Sequence, residues 1–124
     1  IGVGLAIGYK RLNKKNNVYV ILGDGECNEG SIWEAAMLAS AQKLDKLTVI
    51  IDYNKWQATG RSQQVMAIEP LSDKWKSFGW KTVTIDGHDI NQIYEKLKEK
   101  DQEMVENINK LKNQILYSNN QNEI

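Results

Sequence analysis

The sequence predicts an α/β domain built on a parallel sheet. Two continuous β-branched and apolar runs, VYVIL at 18–22 and LTVII at 47–51, suit strands buried on both faces. A helical stretch separates them, giving a strand–helix–strand unit that is almost always right-handed and parallel. The 124 residues, 41% hydrophobic and 26% charged, are ordinary for one globular domain with a real core.

Residues 1–12 alternate small and apolar residues: Gly2, Gly4, Ala6 and Gly8 against Val3, Leu5 and Ile7. Glycine is a poor helix former, so this segment reads as a helix packed tightly against a neighbour. A glycine-rich phosphate loop is the sharper alternative, but no strand precedes it. Lys10, Arg11, Lys14, Lys15, Asn16 and Asn17 form a solvated basic turn. The first strand, 18–22, stops at Gly23-Asp24-Gly25. Ser31 and Glu34 have capping-box spacing and open a helix to about Lys43, with Ile32, Ala35, Ala36 and Ala39 inward. Asp45-Lys46 turns the chain into the second strand, 47–51, which ends at Asp52-Tyr53-Asn54. Residues 55–68 have no period and read as a long loop, a common place for function. Pro70 sits at the first turn of a short helix over 71–78 that Gly79 ends. KTVTI at 81–85 reads as a third strand, closed by Asp86-Gly87-His88-Asp89. From Ile90 the pattern is helical, with Ile90, Tyr94, Leu97, Asp101, Met104, Ile108, Leu111 and Ile115 spaced alternately four and three apart. Such a stripe serves an intermolecular coiled coil or docking on the same domain. The organisation is thus a domain at 1–98, a helical extension at 99–117 and a polar, disordered tail at 118–124.

Sixteen Lys and Arg balance sixteen Asp and Glu, so nucleic acid and anionic membranes are not expected partners. No apolar run approaches the roughly 18 residues of a membrane span, and none reads as a signal peptide. One cysteine, Cys27, excludes an internal disulfide framework and suits a reducing compartment, hence the cytoplasm. The chain opens on Ile1 rather than Met, which reads as numbering that starts inside a longer reading frame or after processing.

Ligands of open α/β sheets bind beyond the carboxyl ends of the strands. The two adjacent strand ends carry Gly23-Asp24-Gly25 and Asp52-Tyr53-Asn54, so Asp24 and Asn54 face one crevice. Mg²⁺ takes oxygen ligands near-octahedrally, typically one or two carboxylates with phosphate and water. Asp24 supplies one oxygen, Asn54 a second and a main-chain carbonyl just after Asn54 a third; a diphosphate and a water complete the shell. Gly25 lets its backbone approach a phosphate closely. A dinucleotide fingerprint needs a third glycine where Asn28 stands, so it fits poorly. A ligand-free tight turn remains the plain alternative.

The triplet followed about thirty residues later by Asn54 resembles the thiamine-diphosphate motif, and its flanks resemble the transketolase family more specifically. Those flanks are Glu29-Gly30, Trp33-Glu34-Ala35-Ala36, Lys43-Leu44-Asp45 with Leu47, Asp52-Tyr53-Asn54-Lys55, Glu69-Pro70-Leu71, Lys74-Trp75, Phe78-Gly79-Trp80 and Asp86-Gly87-His88-Asp89. The likeness runs from about Ile1 to Lys98 and is strongest to bacterial N-terminal subunits encoded apart from the pyrimidine-binding half. It implies a truncated parallel-sheet thiamine-diphosphate-binding fold with a long C-terminal helix. It also implies that Asp24, Asn54 and the Trp56 carbonyl ligate Mg²⁺ (or Ca²⁺ or Mn²⁺), that Gly25 donates its N–H to the diphosphate, and that Ala58 lines the thiazolium side. Glu29 would communicate at a dimer interface with the partner's activating glutamate. The implied chemistry is transfer of a two-carbon ketol unit from a ketose to an aldose, acting on sugar phosphates. It requires a pyrimidine-binding domain or subunit in a homo- or hetero-oligomer. The alternatives are a non-catalytic remnant of that domain, or part of a deoxyxylulose-phosphate synthase or an oxo-acid dehydrogenase; the flanks disfavour the last two.

The chain departs from the family in lacking its upstream glycine-rich loop and histidines. From Lys100 to Ile124 it does not match the strand the family has next, so that either the tail diverges and leaves one sheet edge open or the tail is a helix that covers the exposed surface. The single histidine, His88, reads as a local hydrogen-bonding residue. Trp33, Trp56, Trp75 and Trp80 read as packing residues, Cys27 as a bystander, and Lys55 and Arg61 as solvated cations.

Overall fold

The computed structural model describes residues 1–102. The far part of the helical stripe, from Met104 on, most of the extension at 99–117, and the tail at 118–124 lie outside the described residues. The chain divides into two compact units, one from Ile1 to Thr84 and one from Ile85 on.

In the first unit, α1 (Gly2–Arg11) leads to β1 (Val18–Gly23), a 3₁₀ turn (Glu26–Asn28), α2 (Gly30–Ala41) and β2 (Leu47–Asp52). β1 and β2 pair in parallel, from Val18 opposite Leu47 to Gly23 opposite Asp52. This is the strand–helix–strand unit the apolar runs predict. Val18, Val20, Leu22, Leu47, Val49 and Ile51 share the face that packs into two clusters. One holds Ala6, Val18, Ala39, Leu44 and Leu47; the other holds Leu22, Cys27, Ala36, Ile68, Leu71 and Trp75. The opposite face differs from expectation: Ile21 is 72% exposed and Tyr19 43%. A continuous apolar run cannot distinguish one covered face from two, and α1 and α2 both pack on the Val18–Leu22 side.

The tight-packing reading of α1 holds at Gly2, where a Cβ would stand 2.3 Å from Val20 Cγ2, whereas Gly4 and Gly8 have nothing within 4 Å. Helix α2 starts one residue before the predicted cap. Its N-cap is Glu29, with no side-chain cap bond. The 3₁₀ turn runs almost directly into the helix, with Ile32 N–H donating to Glu29 O at 3.2 Å. Ser31 falls inside the first turn, and its hydroxyl reaches only the Glu29 carboxylate at 3.4 Å.

The predicted loop at 55–68 is more ordered than its lack of period implied. It forms a hairpin of β3 (Trp56–Gln57) and β4 (Gly60–Arg61), then α3 (Ser62–Val65). Helix α4 (Leu71–Ser77) follows Pro70 as expected. Three tryptophans cement the core: Trp33 and Trp75 lie 5.6 Å apart by ring centroid, and Trp75 meets Trp80 edge-on at 5.0 Å. Trp80 Nε1 donates to Ala36 O and Trp33 Nε1 to Cys27 O, so these two indoles bind helix or turn backbone as well as burying area, whereas Trp75 Nε1 is buried without a partner. Trp56 is the exception, 56% exposed with the Arg61 guanidinium over its ring at 4.8 Å.

The predicted third strand at 81–85 has no strand pairing. Val83 is 64% exposed, and Thr82 is tied to Ser72 by a hydroxyl–hydroxyl bond of 3.0 Å. β-propensity records fit to a pleated surface, and here no neighbouring edge takes the segment up. In the second unit a helix, α5, runs over 90–102. Asp89 caps it, its Oδ1 accepting from the backbone of Asn91 and Gln92 at 3.0 and 3.2 Å. Those bonds, led by the Gln92 side chain, hold the Asp89 carboxyl below its ordinary range. Asp86 accepts from the His88 backbone at 2.9 Å, which makes this turn a local structure as read.

Candidate functional site

The site forms where β1 and β2 end. The ladder continues one step past its last pair, with Asp24 N–H donating to Asp52 O at 3.2 Å, which sets the two post-strand segments side by side. Asp24 turns inward and is 2% exposed. Its Oδ2 accepts the hydroxyl of Ser62, itself 1% exposed, across 38 residues of sequence. A buried carboxylate needs hydrogen-bonding partners, and this one draws its partner from the start of α3.

Asn54 is exposed and folds back on its own loop. Its Oδ1 accepts the Trp56 N–H at 2.8 Å and its Nδ2 donates to Asp52 Oδ2 at 3.2 Å. The bond fixes the orientation of Trp56. Ser62 N–H donates to Lys55 O at 3.1 Å, and Trp56 faces Arg61 one step further along the hairpin. In an antiparallel pair hydrogen-bonded positions alternate, so Trp56 and Arg61 form a non-hydrogen-bonded pair. The Trp56 carbonyl therefore points out of the hairpin, on the same edge as its N–H. Lys55, at φ +66°, makes the bend that allows it.

Gly25 opens the 3₁₀ turn, and the Gln57 side chain lies against it: a Cβ at Gly25 would stand 3.4 Å from Gln57 Cγ. Gln57 Oε1 accepts from Asn28 Nδ2 at 3.0 Å. Asn28 Oδ1 and Gln57 Nε2 remain buried without partners. Ala58 stands on the exposed hairpin turn, the end away from Ser62. Glu29 is exposed at the N-cap of α2. Cys27 is 1% exposed, and burial, followed by the charges of Asp24 and Glu26, pushes its thiol up to about 11. That makes it the bystander the sequence suggested.

Asp24, Gly25, Asn54 and Trp56 thus gather at the two strand ends, with Ala58 and Glu29 further out. Ser62, Asn28 and Gln57 join them without having been singled out. Only Asn28 carried a signal, as the residue that broke the dinucleotide fingerprint. The donors suit the group that the resemblance implies. A carboxylate, an amide oxygen and a main-chain carbonyl are the hard oxygens Mg²⁺ takes, and an orphaned amide N–H beside Gly25 suits a phosphate oxygen.

The family model described as "Transketolase, thiamine diphosphate binding domain" matches residues 8–120. The chain belongs to that family. Among relatives, the 6-deoxy-6-sulfo-D-fructose transketolase subunit SqwG of Clostridium sp. (strain MSTE9) is 47% identical over 91 residues, 73% of this chain and 33% of that protein. An apulose-4-phosphate transketolase subunit of Actinobacillus succinogenes is 42% identical over 98 residues, 79% of this chain and 36% of that one. The chain spans about a third of the length of both relatives. The crystal structure of a transketolase from Campylobacter jejuni superposes with a TM-score of 0.75 at 27% identity, covering 80% of this chain and 17% of that one. The fold is therefore the transketolase-type thiamine-diphosphate-binding fold. No helix among the described residues is long and apolar enough to cross a membrane.

Proposed function

We propose that this transketolase-type domain holds Mg²⁺ and the diphosphate of thiamine diphosphate at the ends of β1 and β2, and that it serves transfer of a two-carbon ketol unit from a ketose to an aldose. The observation that supports the reading is the buried Asp24 carboxylate, held by Ser62 at the end of β1, where the Asp24 backbone bonds the end of β2, two residues before Asn54. Asp24, Asn54 Oδ1 and the Trp56 carbonyl are the metal ligands, and Ser62 holds one Asp24 oxygen so that the other faces the ion. Gly25 donates its N–H to the diphosphate. When bound, the cofactor would supply the nucleophile and the electron sink for ketol transfer; the chain supplies position and charge. Ala58 borders the thiazolium ring, and Glu29 lies toward a partner whose pyrimidine-binding domain completes the site. Both named relatives are described as subunits, which supports an assembly of this kind. The substrates are sugar phosphates and the compartment is the cytoplasm, consistent with a free thiol at Cys27.

Titration calorimetry tests this. The chain is expected to bind thiamine diphosphate with Mg²⁺, to lose that binding on chelation and to lose it in Asp24→Ala. Absence of binding at millimolar ligand would overturn the proposal and leave a non-catalytic remnant. A ketol-transfer assay with a supplied pyrimidine-binding subunit then reads the activity.

A further inference from the structure

Two amides join the turn after β1 to the hairpin. Asn28 Nδ2 donates to Gln57 Oε1 at 3.0 Å, which uses one polar group of each. The other two, Asn28 Oδ1 and Gln57 Nε2, are buried without partners. A buried unpaired donor is costly and calls for a reason. Its location offers one: the Gln57 side chain lies across Gly25, its Cγ 3.4 Å and its Cδ 3.6 Å from where a Gly25 Cβ would stand. The free N–H is thus stationed at the backbone turn that the proposed function assigns to the diphosphate.

We infer that Gln57 is a further diphosphate contact, its Nε2–H donating to a phosphate oxygen, and that Asn28 is a positioning residue that sets the orientation of the amide through Oε1. The inference rests on the cofactor reading above. Both orphaned atoms are closed to solvent here, so Gln57 reaches a phosphate by turning about its side-chain torsions. The Asn28 bond to Oε1 is kept in that turn and anchors the amide while Nε2 swings to the phosphate. Gln57 therefore covers Gly25 when no phosphate is present and contacts the phosphate when one arrives. The hairpin's Arg61 is engaged over the Trp56 ring. A water bridging the two orphans is the competing occupant.

Three titrations of the full chain decide it: inorganic pyrophosphate with Mg²⁺, thiamine diphosphate with Mg²⁺, and Mn²⁺ alone followed by water-proton relaxation. Gln57→Ala is expected to weaken both phosphate ligands about tenfold, the effect of one hydrogen bond to a charged group. Gln57→Glu is the same size and is expected to weaken them further by repulsion. Asn28→Ala weakens them less than Gln57→Ala, and Mn²⁺ alone binds all three variants as it binds the unchanged chain. Unaltered phosphate binding in Gln57→Ala, with binding lost in Asp24→Ala, overturns this inference alone and leaves the water. A matching loss of Mn²⁺ affinity in Gln57→Ala also overturns it, since the residue would then be merely structural. An unchanged chain that binds neither phosphate overturns the cofactor reading and this inference together.

Discussion

A residue's surroundings can cancel its chemistry, and Cys27 is the case in point. Burial and two nearby carboxylates raise its thiol from 9.0 to about 11, and the thiolate is the nucleophile. A disulfide reagent at pH 8 should therefore label the native chain far more slowly than the chain in guanidinium; equal rates would refute the burial argument. The same shift links stability to pH. Above pH 9 the unfolded chain gives up its thiol proton while the native chain keeps it to about 11, so the unfolded state binds fewer protons and stability falls across that window. A shift of that size corresponds to about 3 kcal/mol. Urea unfolding at pH 8 and pH 11 should show a larger fall in the unchanged chain than in Cys27→Ala; the difference isolates Cys27 from other groups that titrate there. The placement of Asp24, Gly25 and Asn54 at two adjacent strand ends was legible in sequence because the apolar runs stop just before them. Ser62 and Gln57 were not, because each acquires its meaning only from a partner 38 or 29 positions away, Asp24 or Asn28.

Elements were legible wherever a local period decided them, and illegible wherever a distant partner did. The two strands of the parallel pair, α2 and α4 follow from apolar runs, punctuation and Pro70. The segment at 81–85 has strand composition but no ladder, and the hairpin at 56–61 has a ladder but no strand composition. Two substitutions probe this distinction. Ser31→Ala should leave stability within about 0.5 kcal/mol, since the hydroxyl caps nothing, whereas a true N-cap would cost about 1 kcal/mol. Gly79→Ala should cost about 1–2 kcal/mol. Its φ of +88° is left-handed, and the new Cβ would sit 2.8 Å from Ser40 Oγ. The dihedral dominates, because the Ser40 hydroxyl can rotate away. Chemical unfolding of the two variants ranks them, and a Ser31→Ala loss as large as that of Gly79→Ala would restore the capping-box reading.

For the whole molecule, a ligand at the strand ends is a stability effect as well as a chemical one. The proposed site takes Asp24 from β1's end, Asn54 from β2's end and Ser62 from α3, so an occupant ties together segments that separate on unfolding. A ligand that binds only the folded chain adds about 2.7 kcal/mol at a hundredfold excess over its dissociation constant. For a small domain that raises the midpoint by on the order of 10 °C. Trp33, Trp75 and Trp80 lie in the core of the 1–84 unit and report its melting by fluorescence. Thiamine diphosphate with Mg²⁺ should therefore raise the midpoint, chelation should return it to the starting value, and Asp24→Ala should show no rise. Because the reference is the unfolded chain, the experiment needs neither substrate nor a partner chain. A midpoint that ignores Mg²⁺ and the cofactor together, in a chain that melts cooperatively, would mean that the buried carboxylate serves Ser62 and the fold alone.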